Sequence, residues 1–117
     1  MMKTPVIEDY GFGHIVIDGQ RFTKDVIIFP DRVADRWWRK DGHSLAMADL
    51  DEVIHNPPEV LVVGRGSISR MDVPEATRKA IQALGIELIA EPTAQACETY
   101  NRLRGTRRVV AALHLTC

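Results

Sequence analysis

Cysteine is scarce in this chain: 117 residues contain two, Cys97 and Cys117. They form no Cys-x-x-Cys motif and leave no further thiol for a zinc site, so a thiolate metal centre is not expected. Two reduced thiols fit a protein of the cytoplasm. An excess of charge is lacking too. Fifteen basic and 16 acidic residues give a net charge of −1, which offers no global attraction for nucleic acid or an anionic membrane. No apolar run approaches the roughly 18 residues of a membrane span, so no membrane insertion is expected. The first residues, Met1-Met2-Lys3-Thr4-Pro5, have no apolar core of a secretion signal. Catalytic signatures are equally thin. No Gly-Lys-Ser/Thr follows a glycine-rich loop, no Gly-x-Ser-x-Gly elbow is present, and none of His14, His43, His55 and His114 has the i, i+4 partner of a helical zinc site. No metal, cofactor or catalytic residue is therefore assigned.

What is present reads as one domain, residues 1–117. Hydrophobic residues make up 45% and charged residues 26%, ordinary values for a globular chain. At this length roughly two-thirds of the unfolded surface is buried, enough to fold without staples. Residues 1–5 read as a frayed end. Tyr10-Gly11-Phe12-Gly13 reads as a bend. Ile15 and Ile17 then alternate with His14, Val16 and Asp18 up to Asp18-Gly19, a strong hairpin signal. Val26 to Phe29 is a short, wholly apolar run and predicts a strand covered on both faces. Around Leu50, Val53 and Ile54 the spacing is helical, with Asp49 placed to cap, until Asn56-Pro57-Pro58 breaks the chain.

The second half is plainer. Val60 to Val63 predicts a strand. Asp72 and Glu75 have capping-box spacing for a helix whose apolar stripe would be Val73, Ala76, Ala80 and Leu84, ended by Gly85. Ile86 to Ile89 predicts a second strand and Thr93 an N-cap. Ala96, Cys97, Tyr100 and Leu103 make the inner face of a second helix, and Val109 to Leu115 a third strand. The order β-α-β-α-β favours parallel strands joined by right-handed crossovers. The class is thus α/β: a mixed central sheet with a C-terminal β-α-β-α-β unit and an N-terminal antiparallel β-hairpin layer.

Two groups of candidate site residues emerge. Gly64, Arg65, Gly66 and Ser67 leave the first parallel strand, and Glu91 and Thr93 end the second. Strand ends of open α/β sheets form ligand crevices, and glycine amides can face an anion. Ser69 stands where a dinucleotide fingerprint needs its third glycine. A plain tight turn is the competing reading. The other group is Arg36, Trp37, Trp38 and Arg39. Neighbouring side chains diverge on any regular backbone, so one tryptophan is expected to anchor the core and the other to face outward. Exposed tryptophan beside arginine is typical of interaction hot spots. A protein partner, or a second copy in a two-fold pair, would fit such a patch. The bland alternative is simple packing. Cys97 on the apolar helix face is expected to be a buried, inert thiol, and Arg102, Arg104, Arg107 and Arg108 to complement a helix C-terminus.

The segments "PPEVLVVGRGS" and "LGIELIAEPTAQACETYNRLRGTRRVVAALHLTC", with looser support from "GFGHIVIDGQRF" and "DVIIFPDRV", resemble the adipogenesis-associated Mth-like domain family. The resemblance implies the Mth-like fold, with a mixed central sheet and an accessory β layer. That family includes a mitochondrial assembly factor for respiratory complex I and many bacterial members of unknown activity. It carries over no catalytic residue. Taken with the sequence, it implies a non-catalytic binding or assembly module. The alternative is a small-ligand or anion-binding protein, or an unrecognised enzyme, with its crevice at the strand ends.

Overall fold

A computed structural model describes residues 4–117. The expected frayed end therefore lies partly outside the described residues. Its described part, Thr4 and Pro5, is held: Pro5 is buried, and its carbonyl accepts from the Tyr100 hydroxyl (2.6 Å) and Arg104 Nε (3.0 Å).

Two sheets form. The strands β1 (Ile7–Gly11), β2 (His14–Ile17) and β3 (Gln20–Phe22) make an antiparallel layer. Ile17 pairs with Gln20, so Asp18-Gly19 is a two-residue turn, and both residues take positive φ (49° and 79°) as a type I′ turn demands. The expected bend at residues 10–13 is shorter than four residues, because Tyr10 and Gly11 complete β1 opposite Ile15 and His14.

The larger sheet runs β5-β4-β8-β6-β7. Its strands are β4 (Val26–Phe29), β5 (Arg32–Ala34), β6 (Val60–Gly64), β7 (Glu87–Glu91) and β8 (Val109–Leu113). β6 is parallel to both β7 and β8, while β4 is antiparallel to β8 and β5. The mixed sheet with a parallel C-terminal unit is thus present as expected. The helices are α1 (Asp51–His55, preceded by a 3-10 turn at Met47–Leu50), α2 (Glu75–Ala83) and α3 (Thr93–Leu103).

The sheet is buried on both faces, which is why its central strands read as unbroken apolar runs. Val26, Ile28, Val60, Val62, Val109, Ala111 and Leu113 face α3 and the β1–β3 layer; Ile27, Phe29, Leu61, Val63, Val110 and Ala112 face α1 and α2. Each fully buried aliphatic side chain stabilises by about 1.5–3 kcal/mol.

Three local expectations are corrected. The Asp72–Glu75 capping box does not form: Pro74 is the N-cap of α2 and no side chain caps it. Asp72 instead lies in a short bridge, its carbonyl accepting from the Leu45 N–H (2.9 Å) and its N–H donating to the His43 carbonyl (2.8 Å). The buried residues of α2 are Thr77 and Ile81, in line with Val73 just before the helix, whereas Ala76 and Leu84 are exposed. Thr77 joins that line because its hydroxyl donates to the Leu45 carbonyl (2.8 Å). Thr93 is the first residue of α3 rather than its cap, which is Pro92. Gly85 ends α2 with φ 80°, as expected.

The α3 helix ties the two layers together. Asn101 accepts the Ile7 N–H (3.0 Å) and donates to the Ile7 carbonyl (2.7 Å), closing both backbone groups at the open end of β1. Changing Asn101 to Ala should cost about 1–3 kcal/mol, since two backbone groups lose their partner. Chemical denaturation would show this as a lower midpoint at unchanged slope.

Candidate functional site

The site is built where β8 leaves the sheet. Val26 pairs with Leu113, so the residue before β4, Asp25, comes to lie beside the residues after β8, His114 and Leu115. The expected third strand stops at Leu113 for this reason. The Leu115 N–H donates to Asp25 Oδ1 (2.8 Å) rather than to a neighbouring strand, and the Leu115 carbonyl accepts the Gly13 N–H (2.9 Å).

Asp25 Oδ2 is shared. Arg39 Nη1 donates to it at 2.8 Å, and His114 Nδ1 lies 2.8 Å away. Arg39 Nη2 donates to the Gly42 carbonyl (3.0 Å) and also sits 3.0 Å from His114 Nδ1. A guanidinium nitrogen cannot accept, and the carboxylate can only accept. The 2.8 Å contact therefore requires a proton on His114 Nδ1, facing Asp25, and Nε2 is left buried without a partner among the described residues. Burial opposes ionisation of Asp25. The bonds from His114, the Leu115 N–H and Arg39 outweigh it and hold the carboxyl below its ordinary range.

Arg39 thus departs from the expected surface arginine: its side chain is only 4% exposed. Its guanidinium lies over the Trp37 ring, 4.7 Å from the centroid. Trp37 is itself fixed, its N–H on the Asp25 carbonyl (2.7 Å) and its indole Nε1–H on the Asp49 carbonyl (2.9 Å). Trp38 points outward and is 76% exposed. The expected division of the tryptophan pair is what the backbone produces. Arg36, exposed, takes φ 58°, a conformation uncommon for a residue with a long side chain. A cleft of about 530 Å³ opens here, lined by Thr23, Lys24, Asp25, Arg36, Trp37, Trp38 and Thr116.

The strand-end residues meet as expected, and they bind one another. The Arg65 N–H donates to the Glu91 carbonyl (2.9 Å), the Gly66 N–H to Thr93 Oγ1 (2.8 Å) and the Ser67 N–H to the Thr116 carbonyl (2.7 Å). The Thr93 hydroxyl donates onward to the His114 carbonyl (2.7 Å), and its N–H to the Gly66 carbonyl (3.1 Å). A Cβ on Gly64 would press on Leu113 and Thr93, and one on Gly66 would overlap the backbone of Cys117. Glycine is required at Gly66 for that approach as well as for its φ of 104°. Glu91 turns its carboxylate to the Thr99 hydroxyl (2.7 Å).

Sequence reasoning missed Asp25 and His114. A signal existed: a histidine within the apolar run Val109–Leu115 must find a polar partner once buried. Chemically, an Asp–His pair resembles part of an acid–base relay. Here no hydroxyl or thiol lies within hydrogen-bonding reach of His114 Nε2 among the described residues, and the side chain is 8% exposed. Cys97 is buried, which pushes its thiol up to about 12, with Glu98 adding to the effect. That thiol is a poor nucleophile. Among the described residues no three His, Cys, Asp or Glu side chains converge as metal ligands, and no helix is long and apolar enough to cross a membrane.

This five-stranded mixed sheet with its accessory β layer is the α/β fold shared with solved Mth938-like structures. The chain belongs to the family described as protein of unknown function (DUF498/DUF598), matched over residues 7–114. Solved structures agree. A conserved hypothetical protein of Pyrococcus horikoshii is 28% identical, with TM-score 0.85 over 95% of this chain and 98% of that one. A Bordetella parapertussis protein is 29% identical, with TM-score 0.81 over 96% of each chain. A Bordetella pertussis protein described as a Mth938-like domain is 27% identical, with TM-score 0.72 over 95% of this chain and 85% of that one.

The depressed Asp25 carboxyl has a definite pH signature. Its contribution is fully present above the unfolded carboxylate value of about 3.9 and is lost as pH falls through the lower folded value. Asp25→Asn should cost about 3–5 kcal/mol near neutrality by leaving Arg39 buried without its counter-ion. The variant should also lose part of the stability slope below about pH 4. Urea unfolding of both proteins across pH 2–7 checks both effects.

Proposed function

We propose that this protein is a non-catalytic binding or assembly module of the cytoplasm, engaging a partner protein through the face anchored by Trp38. The observation that carries this reading is Trp38 itself, 76% exposed on a backbone fixed at both neighbours. Trp37 is pinned by two hydrogen bonds and Arg39 by the buried Asp25 pair. A large aromatic side chain held in water on a rigid support is the pre-organised form of an interface anchor. Lys24 and Arg36 beside it make no ion pair among the described residues. The resemblance to a family containing a respiratory assembly factor supports the same direction. The engagement of the Gly66 and Ser67 amides inside the protein leaves the competing strand-end ligand site with less support.

The test is capture of the tagged protein from cells, followed by reconstitution with whichever partner is recovered at one-to-one stoichiometry. Trp38→Ala should weaken the purified complex about 30-fold or more, the loss of about 2 kcal/mol typical of an anchor. Leu84→Ala, at the far end of the sheet, should leave it unchanged. A complex indifferent to Trp38 would overturn the reading. So would a thermal-shift panel of nucleotides, coenzyme A and phosphate in which one compound at saturation raises the melting temperature by about 10 °C.

A further inference from the structure

Among the described residues four large hydrophobic side chains are exposed: Phe12 (67%), Trp38 (76%), Ile68 (66%) and Leu84 (43%). Leu84 lies at the end of α2, next to the start of β7. The other three gather at the opposite end of the molecule, around the segment Leu115–Cys117. Phe12 sits in the β1–β2 turn, whose Gly13 N–H donates to the Leu115 carbonyl (2.9 Å). Ile68 sits in the loop whose Ser67 N–H donates to the Thr116 carbonyl (2.7 Å). Trp38 and Thr116 line one cleft. Three loops distant in sequence thus present an apolar residue each, fastened to one stretch of backbone. Scattered exposed hydrophobics are ordinary, but a cluster marks a contact surface.

Three exposed cations stand at this end without an acidic partner among the described residues. Lys24 and Arg36 line the cleft, and Arg70 holds the Cys117 carbonyl by its N–H (2.9 Å); all three side chains are exposed and pair with no carboxylate among the described residues. Asp25, the acid lining the cleft, is already met by Arg39 and His114. A two-fold pair of identical chains centred here would set these cations against their own copies.

We infer that this face docks a segment of a different protein, one that carries an apolar anchor side chain flanked by carboxylates. The apolar side chain meets Phe12, Trp38 and Ile68, and the carboxylates pair with Lys24, Arg36 and Arg70. Such docking presupposes the Trp38-anchored face proposed above and adds the chemistry of its occupant.

Two synthetic peptides with the same leucine positions, one otherwise rich in glutamate and one in lysine, are titrated into the 15N-labelled full chain. The glutamate peptide should shift the amides of Phe12, Trp38 and Ile68 and the Trp38 indole N–H. It should bind at least tenfold tighter than the lysine peptide, and Lys24→Glu with Arg36→Glu should reverse that preference. No shift at these residues, or equal binding of the two peptides, would overturn the assignment. So would a Trp38-dependent dimer in sedimentation velocity, or shifts produced by anionic vesicles and not by the glutamate peptide. If Trp38→Ala abolishes partner capture while the peptides show no preference, the chemistry fails and the face stands. If capture ignores Trp38, the face itself fails.

Discussion

The Asp25 carboxylate is the point on which the arrangement turns. One acidic side chain, 16% exposed, gathers a guanidinium, an imidazole and a backbone N–H from two separate parts of the chain. A buried carboxylate is tolerated only when its acceptor sites are filled and its charge is met. Both conditions are satisfied here, but only while β4 and β8 keep their register. Sliding that pair by one residue would carry Asp25 away from Leu115 and leave Arg39 buried alone. The cluster therefore contributes specificity of register as much as stability.

From that cluster the order spreads outward along the backbone. His114 gives its N–H to the Gly64 carbonyl (3.0 Å) and its carbonyl to the Thr93 hydroxyl, which locks the end of β6 to the start of α3. Leu115 and Thr116 offer carbonyls to Gly13 and Ser67, which draw in the β1–β2 turn and the loop after β6. Arg39 holds the loop that carries both tryptophans. A handful of residues beyond the last strand thus serves as a common rail for three loops. Displacing it would loosen all of them together.

Much of the fold was legible in the sequence, because period and punctuation are local. The apolar runs at Val26–Phe29 and Val60–Val63, the Asp18-Gly19 turn and the Gly85 stop all stand in the structure as read. The errors share a cause. Asp72, Thr93 and Ala76 owe their expected roles to spacing within their own segment, and each is overruled by a partner elsewhere. Asp72 bridges to His43 and Leu45, Thr93 reaches Gly66 and His114, and Thr77 displaces Ala76 from the core by bonding to Leu45. The site was less legible still. Asp25 and His114 are 89 residues apart, and nothing at either position shows that the other exists. The outward tryptophan could be foreseen because neighbours must diverge; which one faces out depends on Trp37 finding the Asp49 carbonyl.

Open α/β sheets place their crevice between adjacent strands whose following loops go to opposite faces. In this fold that position lies between β6 and β7, since α2 and α3 cover opposite sides of the sheet. Here the position is filled from within: Thr93 occupies the space beside Gly64, and the Cys117 backbone sits against Gly66. The donors that face a bound anion in other sheets of this kind are spent on the chain's own carbonyls and hydroxyl. What the strand ends still present to solvent is the outer side of the same joint, three loops carrying Phe12, Trp38 and Ile68. Filling the crevice and exposing the surface are two consequences of one packing decision. Chain that could have enclosed a small molecule between β6 and β7 instead packs against its own glycines and supports the loops that carry the exposed side chains.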